Sequence, residues 1–154
     1  MTNIMYFVYA LVVSAFVCAS YTDAVAFTAV FAGGTMAITS NQIIKYETVY
    51  TNIGNGYNAA TGIFTAPVSG IYSLSASMMT PPNESAHLMM LKNGVQLVTL
   101  FTGPNGYEMA SHTINVALNA NDRVWMQQWS GRVLHGFQIY NLFSGALIYE
   151  DHFY

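Results

Sequence analysis

The sequence predicts an all-β sandwich or barrel, and three observations carry that expectation. Apolar and polar residues alternate with period two in several separate stretches, the pattern of a strand with one buried and one wet face. Polar, glycine-containing breaks interrupt the chain at roughly ten- to fifteen-residue intervals, the rhythm of short strands joined by turns. Beyond residue 20 there is no helical apolar stripe of useful length.

Each element follows from its own residues. Val25, Phe27, Ala29 and Phe31 share one parity and open the sheet structure. The clearest strand is Ile71 to Met78. There Tyr72, Leu74, Ala76 and Met78 point one way and Ser73, Ser75 and Ser77 the other. Leu88 to Leu91 and Val95 to Phe101 flank Asn93-Gly94, a pair that tolerates the positive φ angles of a tight two-residue hairpin turn. Ile114, Val116 and Leu118 give a further strand, and Phe137, Ile139 and Phe143 a last one. Breaks fall at 52–56, 80–83, 103–106, 119–122 and 130–131. Tyr57, Phe64, Tyr72 and Phe143 are the bulky residues expected to fill the space between layers. Pro67, between Gly62 and Gly70, suits a strand end, and Gly145 lets strand backbone approach a neighbour.

Composition narrows the function. The chain has 154 residues, room for one domain. Charged residues make up 7 %, against about 25 % in an ordinary soluble domain. Hydrophobic content of 53 % and aromatic content of 14 % exclude disorder. Four scattered basic side chains and a net charge of −3 exclude a nucleic-acid-binding patch. A single cysteine excludes a disulfide framework.

Residues 1–20 differ in kind. No charged side chain precedes Asp23, and Ile4 to Ala19 is apolar apart from Ser14. Cys18, Ala19 and Ser20 follow as small residues, so the segment reads as a secretory signal peptide cleaved near Ala19 or Ser20. The stretch is shorter than the roughly 20 residues a membrane span needs. The mature chain is expected to be extracellular, without cysteine or membrane span.

Residues 44–72 carry a dense pattern: Ile44-x-Tyr46, Val49, Asn52-x-Gly54, Tyr57-Asn58-x-x-Thr61-Gly62-x-Phe64-Thr65-Ala66-Pro67-x-x-Gly70-x-Tyr72. Phe27-Thr28-Ala29 precedes it. Leu91-x-Asn93-Gly94, Ser111, Val116, Leu118, Asp122-x-Val124-Trp125 and Phe143-Ser144-Gly145-x-Leu147 follow in order. The pattern resembles the globular C1q domain over residues 22–154. Asn121 and Ala146 depart from it, where members often carry glycine and an aromatic residue. The resemblance implies a ten-stranded jelly-roll β-sandwich of the C1q/TNF type, normally a homotrimer. No collagen-like glycine repeat is present, so the likeness is to short secreted globular-head proteins, and a complement-initiating role is not implied.

No enzyme is expected. Gly-x-Ser-x-Gly, His-Glu-x-x-His and Cys/His zinc spacings are absent. His87, His112, His135 and His152 are scattered and read as packing residues. Gly54-Asn55-Gly56 is a turn, with no strand-to-helix context for a phosphate cradle. No cofactor is expected. Calcium enters only through the resemblance, since some C1q-type trimers bind it with acids in the loop before the strand near Ser111. Glu108 matches that position, but small or apolar residues between Leu100 and Gly106 replace the upstream acid. Too few oxygen ligands remain, so Glu108 reads as a solvated loop carboxylate.

By resemblance, the expected function is non-catalytic recognition in innate immunity. Microbial surface molecules, glycans or host proteins would bind loops of a trimer, whose avidity raises effective affinity. The candidate ligand-binding residues are Asn83, Glu84, Asn105, Tyr107, Glu108 and Arg132. Asn83-Glu84-Ser85 is also a glycosylation acceptor tripeptide, a sequence that arises by chance as well. The alternative is a structural matrix protein or a cytokine-like receptor ligand.

Overall fold

The computed structural model describes residues 24–151. The expected signal peptide, Cys18 and His152 lie outside them. Twelve strands follow in order: β1 (Ala26–Phe31), β2 (Thr35–Ala37), β3 (Thr48–Ile53), β4 (Tyr57–Asn58), β5 (Ile63–Thr65), β6 (Gly70–Thr80), β7 (Ala86–Lys92), β8 (Val95–Thr102), β9 (Glu108–Leu118), β10 (Arg123–Gly131), β11 (Val133–His135) and β12 (Asn141–Glu150). One 3-10 turn, Phe137–Ile139, separates β11 from β12.

Ten strands form two five-stranded sheets, ordered β3-β1-β12-β6-β9 and β4-β5-β10-β7-β8. Strands β2 and β11 form a separate two-stranded ribbon. Every pairing is antiparallel. This is the jelly-roll sandwich that the alternation and the resemblance predict, with the ribbon added.

The period-two pattern works as expected at its clearest site. In β6, Tyr72, Leu74, Ala76 and Met78 are buried, while Ser73, Ser75 and Ser77 are half-buried on the other face. The hairpin turn is also as expected, with φ of 50° at Asn93 and 85° at Gly94. Phe27 is the hub of the interior. Its ring stacks on Phe64 at 4.5 Å and on Tyr57 at 5.2 Å, and meets the edge of Phe143 at 4.9 Å. All four rings are at most 4 % exposed. Such ring pairs add about 0.5–1.5 kcal/mol each beyond the area they bury. The Tyr57 hydroxyl donates to Tyr46 O and accepts from Tyr46 N, so a buried polar tip is satisfied.

Two expectations change. Gly145 does not let backbones approach; it makes room for side chains. A Cβ there would lie 2.6 Å from the Phe27 ring and 2.7 Å from Leu74. Phe137 and Ile139 are not in the last strand or in the core. They are 54 % and 44 % exposed, and only Phe143 of that trio is buried. Gln138 and Ile139 take φ of 58° and 62°, left-handed values that cannot continue a strand.

The antiparallel registers define two ends. One, called proximal here, gathers Gly70, Leu118, Glu150, Lys92 and Arg123. The other, the distal end, gathers Phe31, Thr80, Ala86, Thr102, Glu108, Gly131 and Asn141.

Candidate functional site

The distal end collects all six residues singled out from the sequence, on two sides. Asn83 sits in the β6–β7 loop with φ of 65°, and its N–H donates to Pro104 O at 3.0 Å. That bond ties the loop holding Asn83 and Glu84 to the β8–β9 loop holding Asn105 and Tyr107. Asn105 and Tyr107 are exposed. Arg132 stands apart, in the connection between β10 and β11, where its carbonyl accepts from Ile38 N at 2.8 Å.

Glu108 corrects its expectation. It is half-buried, and its Oε2 accepts from Gly103 N at 2.6 Å. A carboxylate closing its own loop is no freely solvated group. Among the described residues, no cluster of three or more His, Cys, Asp or Glu side chains is placed to hold a metal ion.

Two hollows lined by described residues open at this end. The first, about 470 Å3, is lined by Met79, Tyr107, His135, Phe137, Gln138 and Tyr140. Three rings surround the imidazole: Tyr107 at 4.9 Å, Phe137 at 5.1 Å and Tyr140 at 6.0 Å. Buried Asn141 holds this corner together. Its Nδ2 donates to His135 O at 2.6 Å, and its Oδ1 accepts from Met79 N at 3.1 Å.

The second hollow, about 630 Å3, lies between β2 with its following turn and the end of β10. Trp129, Ser130 and Arg132 line one side, Thr39 and Ser40 the other. Gln128, only 2 % exposed, fixes its floor. It accepts from Asn41 N at 3.0 Å and donates from Nε2 to Gly131 O at 2.8 Å, joining the two walls. Trp129 occupies a break in the β10–β7 register, where Gln128 opposes Leu88 and Ser130 opposes His87. A bulge of this kind re-aims a side chain, and Trp129 is 59 % exposed. Beside it, His87 lies 6.2 Å from the indole and 5.5 Å from the Phe101 ring, extending the aromatic surface across three strands. Gly131 closes the bulge at φ of 97°, and a Cβ there would collide with Ser85 O.

Sequence reasoning missed Trp129 and His135 as site residues. A signal for Trp129 was present. Val124, Met126 and Gln128 share the buried parity of β10, so Trp125 and Trp129 fall on the other.

The C1q domain family model matches residues 26–148. Human complement C1q tumor necrosis factor-related protein 3 is 34 % identical over 119 residues, 71 % of this chain and 46 % of that protein. The chain thus spans less than half the length of that curated relative. The globular domain of zebrafish complement 1qA superposes with a TM-score of 0.69 at 18 % identity, covering 82 % of this chain and 99 % of that one. Eiger TNF from S. frugiperda superposes with a TM-score of 0.70 at 10 % identity, covering 86 % and 97 %. The matched residues run from the start of β1 into β12, and the same strands build the sandwich just described: the chain belongs to the C1q domain family.

Proposed function

We propose that this chain is a secreted, non-catalytic recognition protein that works as a homotrimer and binds extracellular ligands, microbial surface molecules or glycans first, at its distal end. One observation carries the reading. The exposed large apolar side chains fall mainly into two sets. Val49, Tyr50, Ile53, Ile71, Met109, Ile148 and Tyr149 lie on the β3-β1-β12-β6-β9 sheet; Tyr107, Phe137, Ile139, Trp129 and Phe101 lie at the distal end.

The first set suits self-association. The five strands of that sheet contain no Lys or Arg, and their only carboxylates are Glu108 and Glu150. Interface cores are depleted in charge in this way. A shallow hollow of about 210 Å3 on its outer side is lined by small residues, among them Ser73, Ser75, Ser144 and Ala146. A neighbouring copy can approach closely there. The second set suits ligand contact, because aromatic faces and unpaired polar groups supply area and orientation in a concave site. Asn105, Tyr107, Arg132, Asn83 and Glu84 are the contact residues in this reading. Asn83 is exposed and would carry a glycan at the rim.

Light scattering of the secreted protein tests the assembly, and three times the chain mass is expected. Binding to bacterial cell-wall components and a glycan array tests the recognition. Signal equal to that of the triple variant Asn105→Ala, Tyr107→Ala, Trp129→Ala would remove it. Specific capture by a host receptor with an empty array would instead favour a cytokine-like ligand. N-terminal sequencing checks cleavage near residue 20, and deglycosylation with mass measurement checks Asn83.

A further inference from the structure

From the hollow between β2 and the end of β10, we infer a subsite for an anionic pyranose, with Trp129 as its stacking face and Arg132 as the group that pairs with the sugar carboxylate. The inference rests on the recognition reading above and narrows it to one site and one ligand chemistry.

The groups lining the hollow divide by whether they are already engaged. Gln128 spends its side-chain amide on Asn41 N and Gly131 O, so it shapes the floor and offers little to a ligand. Thr39 Oγ1 is bonded to Gln42 Oε1 at 3.0 Å. Trp129 and Arg132 are different. Trp129 is well exposed, and its ring neighbour among the described residues is the tilted His87 imidazole. Arg132 is exposed and forms no ion pair among the described residues, where the one salt bridge joins Lys92 to Asp122. The chain carries only four Lys and Arg residues against seven acids. Lys45 and Arg123 form no ion pair among the described residues either, so it is the position of Arg132 on the lip of a concave site that favours negative charge in the occupant.

The second group selects the rest of the occupant. An indole face is flat and apolar, and it packs against a flat apolar surface such as the C–H face of a pyranose ring. The hydroxyls of Ser40 and Ser130 line the same hollow and offer hydrogen bonds to ring hydroxyls. A guanidinium binds a carboxylate through two parallel N–H donors, a geometry that an ammonium cannot reproduce. The hollow is also held open before binding. The buried Gln128 clamp and the Gly131 bulge fix both walls, so little ordering cost remains. His87 and Phe101 continue the aromatic surface away from the hollow, giving a longer glycan somewhere to lie.

The test uses the full secreted protein and three probes: methyl glucuronoside, methyl glucoside and glucose 6-sulfate. With only two tryptophans in the chain, Trp125→Phe leaves Trp129 as the sole indole. Its emission should shift to the blue as methyl glucuronoside is added. The expected preference over methyl glucoside is about tenfold, equivalent to ~1.4 kcal/mol. Arg132→Gln should abolish that preference, and Arg132→Lys should recover only part of it. Trp129→Ala should remove binding of both glycosides while the far-ultraviolet circular dichroism stays unchanged. Equal binding of neutral and acidic glycosides, stronger binding of the sulfate, or preferences unchanged in both variants would each overturn the subsite. If the glycan array still registers ligands in those cases, the recognition reading survives and only the subsite falls. If array and glycosides are both empty, both fall.

Discussion

The two ends of the sandwich are built from the same strands, yet one is tied by a polar network and the other carries strained backbone and exposed rings. At the proximal end the polar groups answer one another. Lys92 Nζ lies 2.9 Å from Asp122 Oδ2 and donates to Ala117 O. Asp122 also accepts from Asn93 Nδ2 at 2.7 Å and from Asn119 N at 2.8 Å, while Asn93 Oδ1 accepts from Arg123 N. The left-handed residues there are Gly54, Asn55, Asn93, Gly94 and Asn121, the types that adopt positive φ at least cost. At the distal end, Gln138 and Ile139 take positive φ, and the hydroxyl of Thr80 is buried without a hydrogen-bond partner. Tyr107, Trp129 and Phe137 stand more than half exposed. Strained backbone and exposed rings of this kind are what a contact surface tolerates, and in the proposed reading the distal end is that surface.

That contrast can be broken or sharpened by experiment. The largest effect removes both ends together. Phe27→Ala deletes the ring shared by Tyr57, Phe64 and Phe143 and should cost about 3–5 kcal/mol in chemical denaturation.

Next comes a pair that separates the ends. Asn141→Ala orphans the Met79 N–H and the His135 carbonyl inside the distal corner, a loss of about 1–3 kcal/mol. Asp122→Asn at the proximal end keeps an amide oxygen to accept from Asn93 or Asn119, loses mainly the partly exposed pair with Lys92, and should cost about 1 kcal/mol or less. Hydrogen exchange should rise around residues 135–140 in the first variant and stay unchanged there in the second. Equal losses would erase the distinction.

A third prediction uses pH. Burial pushes the Tyr57 hydroxyl up to about 12, against the hydrogen bond with Tyr46, and wholly buried Tyr46 rises further still. Both phenols must stay protonated in the fold. Their contribution is intact below pH of about 10 and is lost as pH climbs toward 12. Asp122 is held below its ordinary value mainly by the hydrogen bond from Lys92. Its contribution is present above pH of about 3.8 and disappears as pH falls further. Denaturation across the pH range should therefore show an alkaline loss that reports the core and a small acid loss that reports the proximal network. Removing the acid loss by Asp122→Asn checks the assignment.

The smallest effect has the opposite sign. Ile139→Gly relieves a β-branched residue at φ of 62° and gives up a side chain already 44 % exposed. A gain of up to about 1 kcal/mol is expected, read as a raised Tm. A lowered Tm would mean that Ile139 packs against something its exposure does not reveal.

Much of the fold was legible because it is local. Alternation in residues 72–78 reports which face of β6 is buried, and Asn93-Gly94 reports its own turn. The aromatic residues Tyr57, Phe64, Tyr72 and Phe143 fill the interior as read, because large apolar rings have nowhere cheaper to go. The site was only half legible. Parity alone assigned Phe137 and Ile139 to a strand, because a pattern of residue types does not report φ. Glu108 read as solvated because its partner, Gly103 N, depends on how the β8–β9 loop folds back.

The sequence by itself determined the fold class, the family, the chemical character of the core and the end of the molecule where candidate contacts gather. Those properties are written in neighbours along the chain and in fixed spacings. Only the tertiary structure decided that Trp129 sits unpaired at a bulge in β10 beside Arg132, that Asn141 locks the distal corner, and that Gly145 leaves room for the Phe27 ring. Each depends on a partner brought from far along the chain by strand pairing, and no local pattern carries that information.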